Sequence, residues 1–164
     1  MKKLNLNFSL IIGLLFIISF SLAQTPSESD SLQKIAVNEF IEDWHNNAAK
    51  ADLAYFDKIS DNGIYIGTDA TELWTKDEFV IWSEKYFERG KAWTFTTIER
   101  NIYLSDDTDL AWFDELLNTG MGVCRASGII QYKDDKWEIL HYHLSLAVPN
   151  ESIEEVKKAI GSMD

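Results

Sequence analysis

The second half of the chain contains four segments that are rich in aromatic and β-branched residues and are separated by short polar turns. The segments cover residues 93–105, 110–118, 123–133 and 137–149. Between them lie the turn sequences SDDTD, TGMG and KDDK. These connections are too short for a crossover, so consecutive strands must run antiparallel. The pattern predicts a four-stranded antiparallel meander, and this constrains the fold more than any other feature of the chain.

Helical patterns precede the meander. The first helix is predicted from apolar residues that recur at spacings of three and four, namely Leu32, Ile35, Ala36, Phe40, Ile41, Trp44 and Ala48. A short second helix and a short strand, NGIYIG, follow it. The third helix is the best marked, because Thr75 and Glu78 have the spacing of a capping box and Gly90 supplies a stop. Helices before strands predict an α+β fold, with N-terminal helices covering one face of a curved antiparallel sheet. A further helix is predicted after Ser152.

The N-terminus has the pattern of a secretory signal peptide. Two lysines precede an apolar run over residues 8–20, and small residues stand at Ser21 and Ala23. Cleavage after Ala23 is expected, with Gln24 as the new N-terminus and export to the periplasm or the medium. No Cys follows the apolar run, so a lipid anchor is not expected. An uncleaved anchor is the alternative.

Acidity excludes several classes of partner. The chain has a formal net charge of −12, which would become −14 without the two lysines of the signal peptide. Such a surface repels phosphate backbones and anionic lipids, so neither nucleic acid nor, after cleavage, a membrane is an expected partner. The only cysteine, Cys124, lies in a strand-like run and is expected to be a buried apolar side chain. No cofactor is expected.

Three motifs carry a resemblance to a known family. The segments IYIGTDATELWTKDEF, AWFDE and KWEILHYHLSLAVP together resemble the SnoaL-like branch of the nuclear-transport-factor-2-like superfamily, whose cone-shaped fold is also that of ketosteroid isomerase. The likeness covers Leu32 to about Pro149. Together with the N-terminal pattern, it predicts a signal peptide at 1–23, a linker at 24–30, a cone domain at 31–150 and a C-terminal helix or tail at 151–164. The last strand also resembles that of the calcium/calmodulin-dependent kinase association domain, an assembly module.

The register of the hairpins predicts which side chains face into the cone. A turn at Asp134-Asp135 would place Ser127 opposite Tyr142, and a loop centred on Gly120 would place Glu115 opposite Arg125. Glu115, Arg125 and Tyr142 would then share a largely apolar face, as in a cavity wall with a few polar groups. Together with Trp74, which precedes the third helix, they are the predicted ligand-binding residues. An ordinary solvated pair of Glu115 and Arg125 is the alternative.

The strand HYHLS places His141 and His143 on the opposite face, together with Trp112. A metal site would need a third ligand, such as His45 or Asp114, but neither has a recognisable spacing, so no metal is expected. Ser145 shares this face without the glycine-rich elbow of a hydrolase. We therefore expect Trp112, His141 and His143 to lie in the interface of a homodimer.

The resemblance allows three functions, because this fold hosts enzymes, binding pockets and assembly modules. The first is an exported domain that binds a small apolar or carboxylate-bearing molecule without catalysis. The second is an isomerase, dehydratase or cyclase that acts on a small hydrophobic substrate. The third is a pure oligomerisation module. Binding is favoured because the sequence shows no clean pair of a general base and an oxyanion donor, and the catalytic residues stay unknown.

Overall fold

The computed structural model describes residues 28–161. Its helices are α1 (Glu28–Lys50), α2 (Ala54–Asp57), α3 (Lys76–Phe87) and α4 (Ile153–Ile160), the last preceded by a 3-10 turn, Asn150–Ser152. Its strands are β1 (Ile59–Ile66), β2 (Leu73–Thr75), β3 (Thr96–Leu104), β4 (Leu110–Thr119), β5 (Gly122–Lys133) and β6 (Lys136–Leu146). Helix α1 begins within the segment expected to be a linker. The expected signal peptide lies outside the described residues.

The six strands form one mixed sheet in the order β2-β1-β6-β5-β4-β3. Strands β3 to β6 pair antiparallel with their neighbours in sequence order, so the predicted meander is confirmed. Strand β1 pairs parallel with β6 and antiparallel with β2. The sheet is not closed into a barrel, and the N-terminal helices cover one of its faces. The α+β cone-fold prediction is therefore confirmed.

The hydrophobic core lies between the sheet and the helices. Helix α1 buries the side chains of Val37, Ile41, Trp44 and Ala48, which recur at helical spacing and face the sheet. The sheet contributes alternate residues of β4 and β5 and three residues of β6. Those buried side chains are Ala111, Phe113, Glu115 and Leu117 from β4, Cys124, Ala126 and Ile130 from β5, and Ile139, Tyr142 and Leu144 from β6. Cys124 is a free, buried cysteine, as predicted.

Helix α3 begins at the predicted capping box. The Thr75 hydroxyl accepts a hydrogen bond from the Glu78 backbone N–H at 3.4 Å, and the Glu78 carboxylate accepts one from the Thr75 backbone N–H at 2.9 Å. The Thr75 backbone and side-chain donors hold the pKa of Glu78 below its usual range. This cap fixes the direction in which α3 leaves β2, and it presents the buried Phe79 to the sheet.

The β4–β5 hairpin differs by one residue from the predicted register. Thr119 pairs with Gly122, so the turn is centred between Gly120 and Met121, and Glu115 lies opposite Ala126. The predicted loop centre at Gly120 is therefore wrong. The observed centre lies half a residue further along, and this shifts each predicted pair of β4 and β5 by one residue. Because side chains alternate along a strand, this shift exchanges the two faces of β5.

The β5–β6 hairpin follows the prediction near its turn and then departs from it. Asp134 and Asp135 both have positive φ values, 51° and 62°. A two-residue hairpin loop with a type I′ turn requires positive φ at both positions. Ile130 pairs with Ile139, whereas Ile129 pairs with His141. The residue between the two partners, Leu140, forms a β-bulge, and beyond it the predicted pairing is shifted by one residue.

Candidate functional site

A pocket of about 530 Å³ opens between helix α3, the segment that follows it and the turn between β4 and β5. Seven aromatic side chains dominate its wall: Tyr65, Trp74, Phe79, Trp82, Tyr86, Trp93 and Phe95. They come from β1, β2, α3 and the chain just before β3. A pocket walled mainly by aromatic rings, with few polar groups, is the usual form of a small-molecule site.

The aromatic rings of the pocket wall pack against one another. The ring centroids of Trp74 and Trp82 lie 4.5 Å apart, and those of Trp74 and Phe79 lie 5.5 Å apart. Tyr65 stacks on Phe79 with centroids 4.0 Å apart and planes inclined by 12°. The capped start of α3 holds Phe79 and Trp82 in place, so the local sequence of α3 determines the shape of this wall.

The rim of the pocket contains the polar lining groups. Glu72 and Lys91 are the charged residues among the described lining residues. The Glu72 carboxylate accepts hydrogen bonds from the backbone N–H groups of Thr68 and Asp69 at 2.9 and 3.1 Å, which closes the loop between β1 and β2. The Thr68 hydroxyl lies 3.9 Å from the sulfur of Met121, so two loops meet at the rim.

A buried polar cluster lies one layer of rings behind the pocket. His45 Nε2 lies 2.8 Å from Glu115 Oε1, Arg100 Nε donates to Glu115 Oε2 at 2.8 Å, and the Tyr142 hydroxyl donates to Oε1 at 3.2 Å. Glu115 is fully buried. The ring of Tyr142 lies 5.3 Å from that of Tyr65, which itself lines the pocket.

The cluster keeps Glu115 ionised. Burial raises the pKa of the Glu115 carboxyl, but the hydrogen bonds and charges of His45 and Arg100 outweigh burial and leave this pKa below its usual range. Burial also raises the pKa of the Tyr142 hydroxyl, and the charge of Glu115 raises it further. Tyr142 is therefore a stable donor to Glu115, and both oxygens of that carboxylate already accept hydrogen bonds.

Arg125 is not in the cone, and its predicted place opposite Glu115 is wrong. Its side chain lies on the outer face of the sheet, 51% exposed, with Nη1 3.6 Å from the carboxylate of Asp114. The one-residue shift of the β4–β5 register explains the error. Arg100 of β3, which lies opposite Glu115 in the sheet, is the arginine that pairs with Glu115.

The other predicted ligand-binding residues lie on the inner side of the sheet. Trp74 lines the pocket. Glu115 and Tyr142 touch each other but lie behind the wall rather than in it. Contact of any of these residues with a ligand stays a prediction.

The predicted interface residues lie on the outer face. Trp112 is 46% exposed and stacks on Tyr103, with ring centroids 5.8 Å apart. His143 is exposed and His141 is partly buried. The sheet therefore presents an aromatic, partly apolar outer surface to solvent.

His45 and Arg100 are the residues that the sequence pattern did not identify as partners of Glu115. The sequence pattern indicates His45 only as a possible metal ligand, although His45 lies four residues after the buried Ile41 and therefore on the same face of α1. Arg100 stands in an aromatic strand, where an arginine is unexpected unless it is paired, and this was the available indication. The described residues contain no group of three or more His, Cys, Asp or Glu side chains that could hold a metal ion.

The family model of the SnoaL-like domain matches residues 37–149. This chain belongs to the SnoaL-like family. The match confirms the resemblance noted in the sequence and agrees with the cone fold. No curated protein matches the sequence. Within residues 28–161, no helix is both long and apolar enough to cross a membrane.

Solved structures share the fold at low sequence identity. An NTF2-like protein of unknown function from Pseudomonas putida KT2440 is 15% identical, with a TM-score of 0.63 over 74% of this chain and 92% of that one. The association domain of CaMKII from C. elegans is 16% identical, with a TM-score of 0.61 over 73% of this chain and 100% of that one. An NTF2-like protein from Cytophaga hutchinsonii is 12% identical, with a TM-score of 0.57 over 69% and 97%. At these identities the similarity supports the fold alone.

Proposed function

We propose that this SnoaL-like domain binds a small, largely apolar molecule in the aromatic pocket and does not transform it. The observation that carries this proposal is the wall of seven aromatic rings around a volume of about 530 Å³. A volume of this size accommodates a small molecule, and large rigid rings offer contact area at little cost in conformational entropy.

The state of Glu115 argues against the alternative, an isomerase, dehydratase or cyclase. A general base must reach the substrate proton, and its pKa should lie near the working pH. Glu115 is buried behind the pocket wall, its oxygens accept from His45, Arg100 and Tyr142, and its pKa is lowered. We therefore assign this cluster to the stability of the cone. Deuterium exchange at the carbon next to the carbonyl of a bound ketone would contradict this assignment.

A thermal-shift titration tests the binding proposal. Naphthalene is a suitable probe because it is flat, apolar and uncharged, and a ligand that binds only the folded state raises its melting temperature. We expect a saturable shift that is reduced in Trp74→Ala, since Trp74 forms part of the wall. Trp112→Ala is the matched control, because it removes a tryptophan from the outer face. The proposal would be contradicted if naphthalene left the melting temperature of the wild type unchanged. It would also be contradicted if naphthalene shifted the melting temperatures of Trp74→Ala and Trp112→Ala equally.

A second candidate function is assembly, and the exposed stack of Trp112 and Tyr103 favours it. We propose a homodimer through the outer face of the sheet, with Trp112, His141 and His143 in or near the contact. Sedimentation of the wild type and of Trp112→Asp tests this, because a carboxylate in an apolar contact should dissociate it. A wild type that sediments as a monomer at micromolar concentration, as Trp112→Asp is expected to do, would argue against the homodimer.

We also propose that the domain works outside the cytoplasm, after removal of residues 1–23. The support is the basic start, the apolar run and the small residues before Gln24. Intact-mass measurement of the exported protein should give the mass of a chain that starts at Gln24. A mature protein that retains the first 23 residues would refute this.

A further inference from the structure

Helix α4 carries an apolar stripe that stays largely exposed. The stripe consists of Ile153, Val156 and Ile160, at spacings of three and four, and we call these three residues the α4 stripe. Among the described residues of α4 none is buried, and Ile160 is 65% exposed. A helix of eight residues is marginal in water on its own, so α4 requires an apolar surface against which the stripe can pack.

A matching apolar surface is exposed on α3, on the side that faces away from the aromatic pocket. A groove of about 530 Å³ lies there between α3, α2 and the connection from α1 to α2. Leu53 and Ile81 on its wall are 67% and 73% exposed. The described residues that line this α2–α3 groove are all different from those that line the aromatic pocket. Its apolar lining residues are Ala51, Leu53, Phe56, Val80, Ile81 and Phe87.

The α4 stripe and the α2–α3 groove have the same length. The stripe runs from Ile153 to Ile160, and the α3 side of the groove runs from Val80 to Phe87. Each of these stretches spans seven helical steps, which is about 10 Å. An amphipathic helix of this length therefore fits along the groove as one apolar face laid against another.

The charges beside the two surfaces are opposite. Glu84 lies at the middle of the groove, and its side chain is exposed. Lys157 lies at the middle of α4 and flanks the stripe. Its ion pair with Glu154 is 66% and 73% exposed, so this pair contributes little and can exchange. Because each charge is central, Lys157 would meet Glu84 whether the two helices ran parallel or antiparallel.

The groove of the same chain lies away from α4. Helix α2 stands directly before β1, and Ile59 at the start of β1 pairs with Ile139 near the start of β6. Helix α4 follows the other end of β6, at Leu146. The strand between Ile139 and Leu146 is about 23 Å long, and Leu53 and Ile81 remain exposed in the described chain. The α4 helix of a second copy is free of this separation.

We propose that α4 of one copy packs into the α2–α3 groove of a second copy, with the α4 stripe against Leu53 and Ile81 and with Lys157 facing Glu84. The groove lies on the helical side of the sheet, so this contact differs from the homodimer proposed through the outer face and would link such dimers. A single short helix buries little area, so the contact should populate only above micromolar concentration. It does not depend on a ligand in the aromatic pocket.

Disulfide trapping between two separately purified variants tests the contact. Glu84→Cys, carrying a size tag, is mixed with untagged Lys157→Cys, and the mixed disulfide is measured on a non-reducing gel. We expect a heterodimer whose yield is at least about fivefold higher than with Lys158→Cys, the matched control, because Lys158 points away from the α4 stripe. The buried Cys124 is common to all variants, and the wild type measures its background.

Charge exchange tests the same contact without cysteines. Sedimentation equilibrium is measured in Trp112→Asp, which removes the proposed outer-face contact. Lys157→Glu should weaken the remaining association about fivefold, whereas Lys158→Glu should change it by less than about twofold. Adding Glu84→Lys to Lys157→Glu should restore the association to within about twofold, because the pair is then reversed. Circular dichroism shows whether each variant is folded.

The outcomes separate this contact from its alternatives. A heterodimer favoured by Lys157→Cys, together with restoration by the exchanged charges, would support the proposal. Equal yields with Lys157→Cys and Lys158→Cys would overturn it. A disulfide within one chain of the double variant Glu84→Cys/Lys157→Cys, without a heterodimer in the mixture, would assign α4 to its own groove and would also overturn it.

Discussion

Replacement of Arg100 by alanine should destabilise the fold severely, because it would leave a carboxylate buried beneath helix α1 without its permanent positive partner. The Arg100 side chain is 3% exposed and Glu115 is fully buried. Arg100 also donates to the Asn38 side chain at 2.9 Å and to the Thr97 hydroxyl at 3.0 Å. The Asn38 contact ties β3 to α1 and the Thr97 contact lies within β3, so the variant loses more than one ion pair.

The expected magnitude follows from burial. Removing one partner of a buried ion pair costs about 3 to 5 kcal/mol, since the remaining charge is left in a medium of low polarity. His45 keeps its hydrogen bond to the other oxygen of Glu115, which argues for the lower end of that range. An entire domain of this size is stable by only about 5 to 15 kcal/mol, so Arg100→Ala should remain folded but lose a large share of its stability.

Urea denaturation followed by circular dichroism measures this loss, with Arg125→Ala as the matched control. Arg125 also pairs with an acid, Asp114, but its side chain is half exposed and the pair is solvated. Its removal should cost under about 1 kcal/mol. If Arg100→Ala lost no more free energy of unfolding than Arg125→Ala, the buried cluster would not be the polar centre of the cone.

Three further predictions follow from the described contacts. Because the pKa of Glu115 is lowered in the fold, the free energy of unfolding should fall as the pH drops below the ordinary glutamate value of 4.5 and through the folded-state pKa. Urea denaturation at several acidic pH values measures this fall, which should be shallower in Glu115→Gln. Thr75→Ala should cost about 1 kcal/mol in the same assay, since the variant loses the side-chain cap of α3, and an unchanged midpoint would count against that cap. Gly128→Ala should cost about 1 to 3 kcal/mol, because an added Cβ would lie 2.6 Å from the ring of Phe113. Gly120→Ala is the control and should cost less, because an added Cβ there meets nothing within 4 Å. Equal losses of stability in the two variants would contradict the close packing at Gly128.

The fold could be predicted because its elements carry local sequence patterns. The capping box at Thr75 fixed the start of α3, and the paired aspartates after Lys133 fixed the last hairpin turn. The short connections after β3 left antiparallel pairing as the only possibility. Each of these features depends on a few neighbouring residues, so a single sequence is enough to identify it.

The site could be predicted only where it depended on alternation within one strand. Phe113, Glu115 and Leu117 face the core as expected, because the period of a strand is two. The predicted position of Arg125 was wrong because a shift of one residue in the turn before β5 exchanges the side chains that face the core and the solvent. The bulge at Leu140 depends on how β6 packs between two neighbours, which no local pattern encodes.

The partners of Glu115 required contacts between residues distant in sequence. His45 is 70 positions away along the chain and Arg100 is 15 positions away. The sequence indicated that a buried acid needs a cation, but it offered Arg125 as well as Arg100. Only the register of the sheet distinguishes the two arginines, and that register is a property of the whole fold.

A crystal structure of the protein grown with naphthalene tests the central claim most directly. We expect electron density for the naphthalene rings in the pocket beside Trp74 and Trp82. Density for the probe on the outer face of the sheet at Trp112, with none between the aromatic walls, would contradict the claim that this pocket is the binding site.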